Sequence, residues 1–313
     1  MSTVVTDEHA APSGAQHTIT AGGYRATVVE VGGGLRAIEL DGMPVLDGYG
    51  EDEMCDGARG QLLIPWPNRV DHGTYRFAGE ERQLDITEPD RDCAIHGLAR
   101  WQNWDAARDG DAAVTMSLRL HAHPGWPHVL DLEARYVLDA ADGLTVTITA
   151  TNVGATPAPY GNGAHPYVTA GTPTIDACTM QLPGGTRYTH DDRGIPTGRE
   201  RVDGTRYDYR DPRPLGDAKL DEAFTDLVRD GDGRAWAHLT NPGGTTVSLW
   251  VDDTYPCLEV FTGDHLPRPE KRRTGLGLEP MTCPPNAYVT GESLITLEPG
   301  RRVTNTWGIV ARR

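Results

Sequence analysis

Two residues far apart in the chain stand where side chains do chemistry and not filling. His165 lies in Gly161-Asn162-Gly163-Ala164-His165-Pro166-Tyr167, and the proline after it biases the histidine toward extended backbone and interrupts regular pairing. It is therefore held at the end of a strand. Glu279 lies in Gly275-Leu276-Gly277-Leu278-Glu279-Pro280-Met281-Thr282-Cys283-Pro284-Pro285-Asn286, between an apolar glycine-spaced run and a rigid proline turn. Such flanks partly remove a carboxylate from water, which raises its pKa. An imidazole and a desolvated carboxyl together offer general acid–base chemistry. Taken singly, each also has an ordinary reading: a loop histidine with a satisfied hydrogen bond, and a solvated acid in a turn.

Two further segments place polar groups where a sheet protein would put apolar ones. One is Ile64-Pro65-Trp66-Pro67-Asn68-Arg69-Val70 followed by Gly73-Thr74-Tyr75-Arg76-Phe77; the other is Ala94-Ile95-His96-Gly97-Leu98, with Trp101 and Trp104 close behind. Large aromatics more often fill a core, so Trp66, Trp101 and Trp126 are not assigned to a site. The run Lys271-Arg272-Arg273 invites a phosphate-binding reading, against which stands the usual solvation of a basic loop in an acidic protein.

The elements that must position these residues are strands. Ala112, Val114, Met116, Leu118 and Leu120 alternate with polar residues, as do Leu130, Leu132, Ala134, Tyr136 and Leu138, and then Leu144, Val146, Ile148 and Ala150. Asp142-Gly143 is a tight-turn signal joining the last two runs into an antiparallel meander. Tyr24 to Val31, Leu35 to Leu40, Thr245 to Val251, Cys257 to Phe261, Ser293 to Leu297 and Val303 to Ile309 read as further strands. No long amphipathic helix competes with them. The stretch from Gly184 to Arg213 has little periodicity and reads as loops and short edge strands that could wall a site.

Composition agrees with a large all-β unit. The 313 residues include 37 glycines and 23 prolines, scattered as punctuation between short apolar runs. Residues 1–16 are small, polar and aperiodic and read as a disordered leader; 17–313 read as a single domain. A formal net charge of -16 repels phosphate backbones and anionic lipid, so no nucleic-acid or membrane partner is expected. No secretory signal pattern is seen, and the expected location is the cytoplasm. Cys55, Cys93, Cys178, Cys257 and Cys283 are odd in number and widely spaced, which reads as reduced thiols. No Cys-x-x-Cys or His-x-x-x-His pairing suggests a metal, and no cofactor is expected.

The four polar segments, in this order, resemble the aldose 1-epimerase family, also called galactose mutarotases, over nearly the whole chain. Asn68-Arg69 with Gly73 to Phe77, His96-Gly97, His165 to Tyr167 and Leu278 to Pro280 carry the resemblance. Asp221-Glu222-Ala223-Phe224 resembles the family's Asp-x-x-Phe, and Glu259 precedes Val260-Phe261-Thr262-Gly263 at a position where the family commonly has glutamine. Met281, Val168 and Asn286 also depart from the family pattern, and such changes bear on which sugar fits.

The resemblance implies a large antiparallel β-sandwich of the galactose mutarotase-like supersandwich type with a sugar pocket on its concave face. It implies metal-free interconversion of the α and β anomers of a free aldohexose such as glucose or galactose. Glu279 is then the base and His165 the acid, with Arg69, His96, Asp221 and Glu259 binding the sugar. Carboxylates near His165, Asp221 among them, are expected to keep its proton on. The protein is expected to be a monomer or weak homodimer. Alternatives left open are a non-catalytic carbohydrate-binding or regulatory module, a hexose-6-phosphate mutarotase, and lyase or hydrolase chemistry on the same scaffold.

Overall fold

A computed structural model describes residues 10–313. The expected leader lies mostly outside these residues. Its last part is ordered: Ser13 is buried, and Gln16 already opens the first strand, paired with Val29. The reason is local bonding, since the Ala15 N–H donates to Glu30 Oε2 and Val31 N–H donates to Ser13 O.

Two large antiparallel sheets dominate. The first has nine strands and is built around the meander Ala113–Leu120, Leu130–Asp139 and Gly143–Asn152, to which Arg302–Arg312 and then Thr246–Val251 are added. Its alternation follows the sequence: Leu130, Leu132, Ala134, Tyr136 and Leu138 are buried, while the residues between them are exposed or half-buried. The hairpin closes with Leu138 opposite Leu144, and Asp139 Oδ1 accepts the Ala141 and Asp142 N–H groups in the turn. Threonines on the far face pair across strands, Thr149 with Thr304.

The second sheet, of eight strands, carries Gly184–His190, Asp221–Leu227, Cys257–Phe261 and Leu276–Met281 as neighbours. Leu276–Met281 is buried at every position, so this strand is covered on both faces. One continuous apolar core reaches from Ile19 to Ala311. Among the described residues the single α-helix is the one-turn Ala287–Thr290, and no helix is long and apolar enough to cross a membrane. All five cysteines are free and buried.

The stretch from Gly184 to Arg213 is more regular than expected. Gly184–His190 and Pro196–Arg201 form a hairpin, and the second strand is an edge strand whose exposed Arg199, Glu200 and Arg201 discourage further pairing. Its order comes from long-range contacts that periodicity does not register. Arg187 is held by Glu200 and Glu222. At the hairpin tip Arg193 Nη2 reaches Asp71 Oδ1 at 2.7 Å, so the excursion does form a wall beside Arg69.

Candidate active site

Cross-strand register gathers the titratable residues. Glu259 stands directly opposite Glu279, and Ala223 opposite Glu259. Gly163 pairs with Met281 and Tyr167 with Gly277, which brings His165, midway between them, level with Glu279. Pro166 supplies no N–H, and its carbonyl accepts the Leu278 N–H at 3.1 Å. The glycine-spaced run now has a purpose: a Cβ on Gly277 would lie 3.1 Å from Phe261 Cβ and 3.3 Å from Phe261 O, so glycine lets the neighbouring strand pack closely beside His165.

His165 Nε2 lies 3.1 Å from Glu279 Oε1, and both side chains are buried. The imidazole stacks on Tyr167 at 4.8 Å between ring centroids and meets His96 edge-on at 5.4 Å. His165 Nδ1 and Glu279 Oε2 are buried without a hydrogen-bond partner, an uncommon condition for polar atoms in a folded protein. They sit at a cavity of about 530 Å³, within the range of roughly 300–1,000 Å³ usual for small-molecule sites. Arg69, His96 and Asp221 line the same cavity, with Asn68, Glu88, Tyr167 and Phe261.

His96 and Asn68 fix each other. The His96 N–H donates to Asn68 O at 3.0 Å, and the Asn68 N–H donates to His96 Nδ1 at 3.2 Å. Because Nδ1 accepts, the neutral ring carries its proton on Nε2, which becomes the donor available to a ligand. Both residues have left-handed backbone, φ 63° and 55°, a conformation that non-glycine residues adopt at functional sites when the surroundings enforce it.

Gly97 makes this turn possible. Its φ is 70°, and a Cβ would fall 2.1 Å from the Ile64 carbonyl oxygen, which already accepts the Leu98 and Ala99 N–H groups. Gly97→Ala is expected to destabilise the protein by more than about 2 kcal/mol. Urea unfolding checks this, and an unchanged midpoint would contradict it.

Arg69 begins the strand Arg69–Asp71, and Glu88 grips its guanidinium through Nε–Oε2 at 2.7 Å and Nη2–Oε1 at 3.0 Å. This bidentate pair, with Asp221 and Glu259 nearby, holds the guanidinium firmly charged. Asp221 opens its strand at the cavity edge, whereas Glu259 lies behind the main cavity in a narrow recess with Asn68, whose Nδ2 is 3.4 Å from Glu259 Oε2.

The electrostatics follow from burial. Desolvation, with Asp221 nearby, pushes the Glu279 carboxyl well above the usual range, and Arg69 opposes it only in part. Glu259 is also pushed well up, by desolvation and by the Asp221 and Glu279 charges. Two like charges directly opposite on neighbouring strands are unfavourable, and a proton on one relieves them.

His165 corrects the sequence expectation. Its pKa is pushed down to about 3 by desolvation, reinforced by Arg59 and Arg100, so the resting ring is neutral. Burial outweighs the carboxylates, because those within reach are themselves driven toward the neutral acid. His96 is likewise lowered by burial, then by His165 and the arginines.

Asn68, Tyr167, Glu88, Arg91 and Arg100 join the site without having been singled out as site residues. Asn68 and Tyr167 sit inside the quoted segments and could have been found there; Glu88 carries no local signal, because its role is to face Arg69. Trp66 and Trp126 are buried in the core, and Trp101 is exposed. Lys271 is tied to Asp47 and Gly48 O, Arg272 to Leu266 O, and Arg273 to Asp176 and Asp264, so the basic run is committed to internal partners. Among the described residues His96, His165 and Glu279 offer ligand atoms within 4.8 Å of one another, the one grouping able to hold a metal ion.

The family model described as aldose 1-epimerase matches residues 15–309. The uncharacterized protein YihR of Escherichia coli (strain K12) is 35% identical over 290 residues, covering 92% of this chain and 91% of that protein. The GalM/aldose epimerase homologue from C. elegans superposes with a TM-score of 0.85 at 17% identity, over 96% of this chain and 99% of that one. The galactose 1-epimerase from Lactobacillus acidophilus NCFM does so with a TM-score of 0.79 at 22% identity, over 95% of each chain.

Proposed function

Because the chain belongs to the aldose 1-epimerase family, we propose that it interconverts the α and β anomers of an aldohexose by acid–base opening and closure of the sugar ring. The observation that carries this reading is the buried His165–Glu279 pair at 3.1 Å, with unpartnered polar atoms at a cavity of sugar size.

In the reacting state Glu279 is a carboxylate and His165 an imidazolium. Glu279 Oε2 takes the proton of the C1 hydroxyl, the C1–O5 bond breaks, and O5 takes a proton from His165 Nε2. C1 is then the aldehyde carbon, Glu279 a neutral acid and His165 a neutral imidazole. Burial favours this neutral pair, since Glu279 is pushed up and His165 down. Passing the charge separation through the sugar returns the pair to its neutral form, so the desolvation penalty of two buried ions is carried by the reacting state alone. Rotation about C1–C2 presents the other face of the aldehyde, and O5 reattacks as both proton transfers reverse. Arg69, His96 and Asp221 hold the sugar hydroxyls while C1 stays free to turn.

Polarimetry with freshly dissolved α-D-glucose and α-D-galactose tests the reading. Equilibration faster than in buffer is expected; binding of sugar with no change of rate would favour a binding module, and cleavage of oligosaccharides would favour hydrolase or lyase chemistry.

A further inference from the structure

Arg59 is only 1% exposed, and a charge so far removed from water needs strong local compensation. It has it. Nε lies 3.2 Å from Asp47 Oδ2, Nη1 lies 2.7 Å from Asp56 Oδ1, and Nη2 donates to Lys271 O at 3.3 Å. These bonds fix the guanidinium over the Tyr167 ring, with Cζ 4.7 Å from its centroid.

The surroundings of Arg59 lead back to His165. Asp47 donates its N–H to Tyr167 O at 2.8 Å, and the Tyr167 hydroxyl donates to Gly57 O at 2.8 Å. The Gly60 N–H donates to His165 O at 2.9 Å, and the His165 N–H donates to Gln61 O at 3.1 Å. Residues 57–61 therefore hold both the backbone of His165 and the ring of Tyr167, on which the imidazole stacks with 11° between the planes.

Little else orients that imidazole. A functional histidine is ordinarily aimed by a hydrogen bond from its second ring nitrogen, but His165 Nδ1 is buried without a partner. Nε2 meets Glu279 Oε1 at rest, and in ring opening it serves O5 instead. At the moment of proton transfer the face of Tyr167 and the edge-on His96 ring are what remain to set its direction.

We propose that Arg59 is a positioning residue for the proton transfer to O5: it holds the Tyr167 ring, and through that ring the His165 imidazole, where Nε2 reaches the ring oxygen. This inference rests on the ring-opening reading given above. Arginine suits the place because its planar guanidinium stacks on an aromatic face while its N–H groups bond carboxylates; lysine offers a point charge. Arg69, His96 and Asp221 belong to other segments, so loosening the Tyr167 platform acts on turnover and leaves sugar affinity in place. A misplacement of about 1 Å is enough to slow a reaction roughly a hundredfold.

The test is a double-mutant cycle on anomer exchange of glucose and galactose, followed by NMR. Both kcat and KM are measured for wild type, Arg59→Met, Tyr167→Leu and the double variant, each normalised to the native fraction seen in thermal unfolding. Arg59→Met is expected to lower kcat by about tenfold to a hundredfold, with KM held within about twofold. In the Tyr167→Leu background the same substitution should lower kcat by less than about threefold, because the ring through which Arg59 acts is gone. Arg59→Lys keeps a cation for Asp47 and Asp56 and should lower kcat by only about threefold to tenfold, a loss again absent beside Tyr167→Leu. If Arg59→Met does not fold, the cycle is decided with Arg59→Lys. A buried ion pair of purely structural role would give equal kcat factors in both backgrounds. That result, a wild-type kcat in the folded variant, or a change confined to KM would overturn the assignment while leaving ring opening in place. No acceleration of either sugar by the wild type would instead remove the ring-opening reading and this inference with it.

Discussion

Glu279→Gln lowers the rate of anomer interconversion by between about a hundredfold and ten-thousandfold, the span usual for loss of a general base, and does so without unfolding the protein. The amide keeps the shape of the carboxyl and can still bond His165 across the 3.1 Å contact. What it cannot do is accept the C1 hydroxyl proton. The stability change runs the other way from the activity change. A buried carboxyl whose pKa is raised stabilises the native state below its unfolded value of about 4.5 and loses that contribution as pH rises toward the folded value. The amide titrates nowhere, and no charge can develop on it opposite Glu259 as pH rises. Relative to wild type, the variant should therefore gain stability as pH rises from 4 to 8. Paired polarimetry and urea unfolding at those two pH values test both halves. A folded variant with the wild-type rate would mean that the base lies elsewhere.

His165→Asn is expected to reduce the rate by a similar factor and, unlike the glutamate variant, to destabilise at neutral pH by about 1–3 kcal/mol. The ring stacks on Tyr167 and meets His96 edge-on, and asparagine fills neither contact. Its second signature is in the acid limb. With the native value near 3 and the unfolded value near 6.5, the unfolded chain binds a proton that native His165 refuses. Stability contributed by the neutral ring is whole above pH 6.5 and is lost as pH falls toward 3. Removing His165 should make the decline between those limits shallower, though not flat, because His96 and His128 are also held down by burial. Urea midpoints from pH 7 to pH 4 measure the slope. An unaltered slope would mean that native His165 titrates like a solvated histidine, and the neutral resting pair would have to be given up.

The departures at Glu259 and Asn286 read differently once their partners are seen. Glu259 is turned toward Asn68 behind the cavity, not into it. Asn286 accepts the Asp71 N–H and donates its own N–H to Arg69 O, so it anchors the strand that presents Arg69. The former places a carboxyl opposite Glu279, and the latter holds the strand that carries Arg69, the arginine we propose binds the sugar. Each acts through a site residue.

The sequence by itself determined the strands of the large sheet, because a half-buried antiparallel strand writes its burial as a two-residue alternation, as in Leu130 to Leu138. It also determined which short segments matter: Asn68-Arg69, His96-Gly97, His165-Pro166 and Leu278-Glu279-Pro280 break that alternation with polar or conformationally special residues, and a break in a regular pattern is legible locally. Only the tertiary structure decided the order found in the Gly184 to Arg213 hairpin, which rests on Arg187 and Arg193 reaching acids elsewhere in the chain. It likewise decided the grip of Glu88 on Arg69 and the neutrality of His165. These depend on which charges meet and how much water is excluded when distant strands pack, and neither quantity is carried by any single stretch of residues.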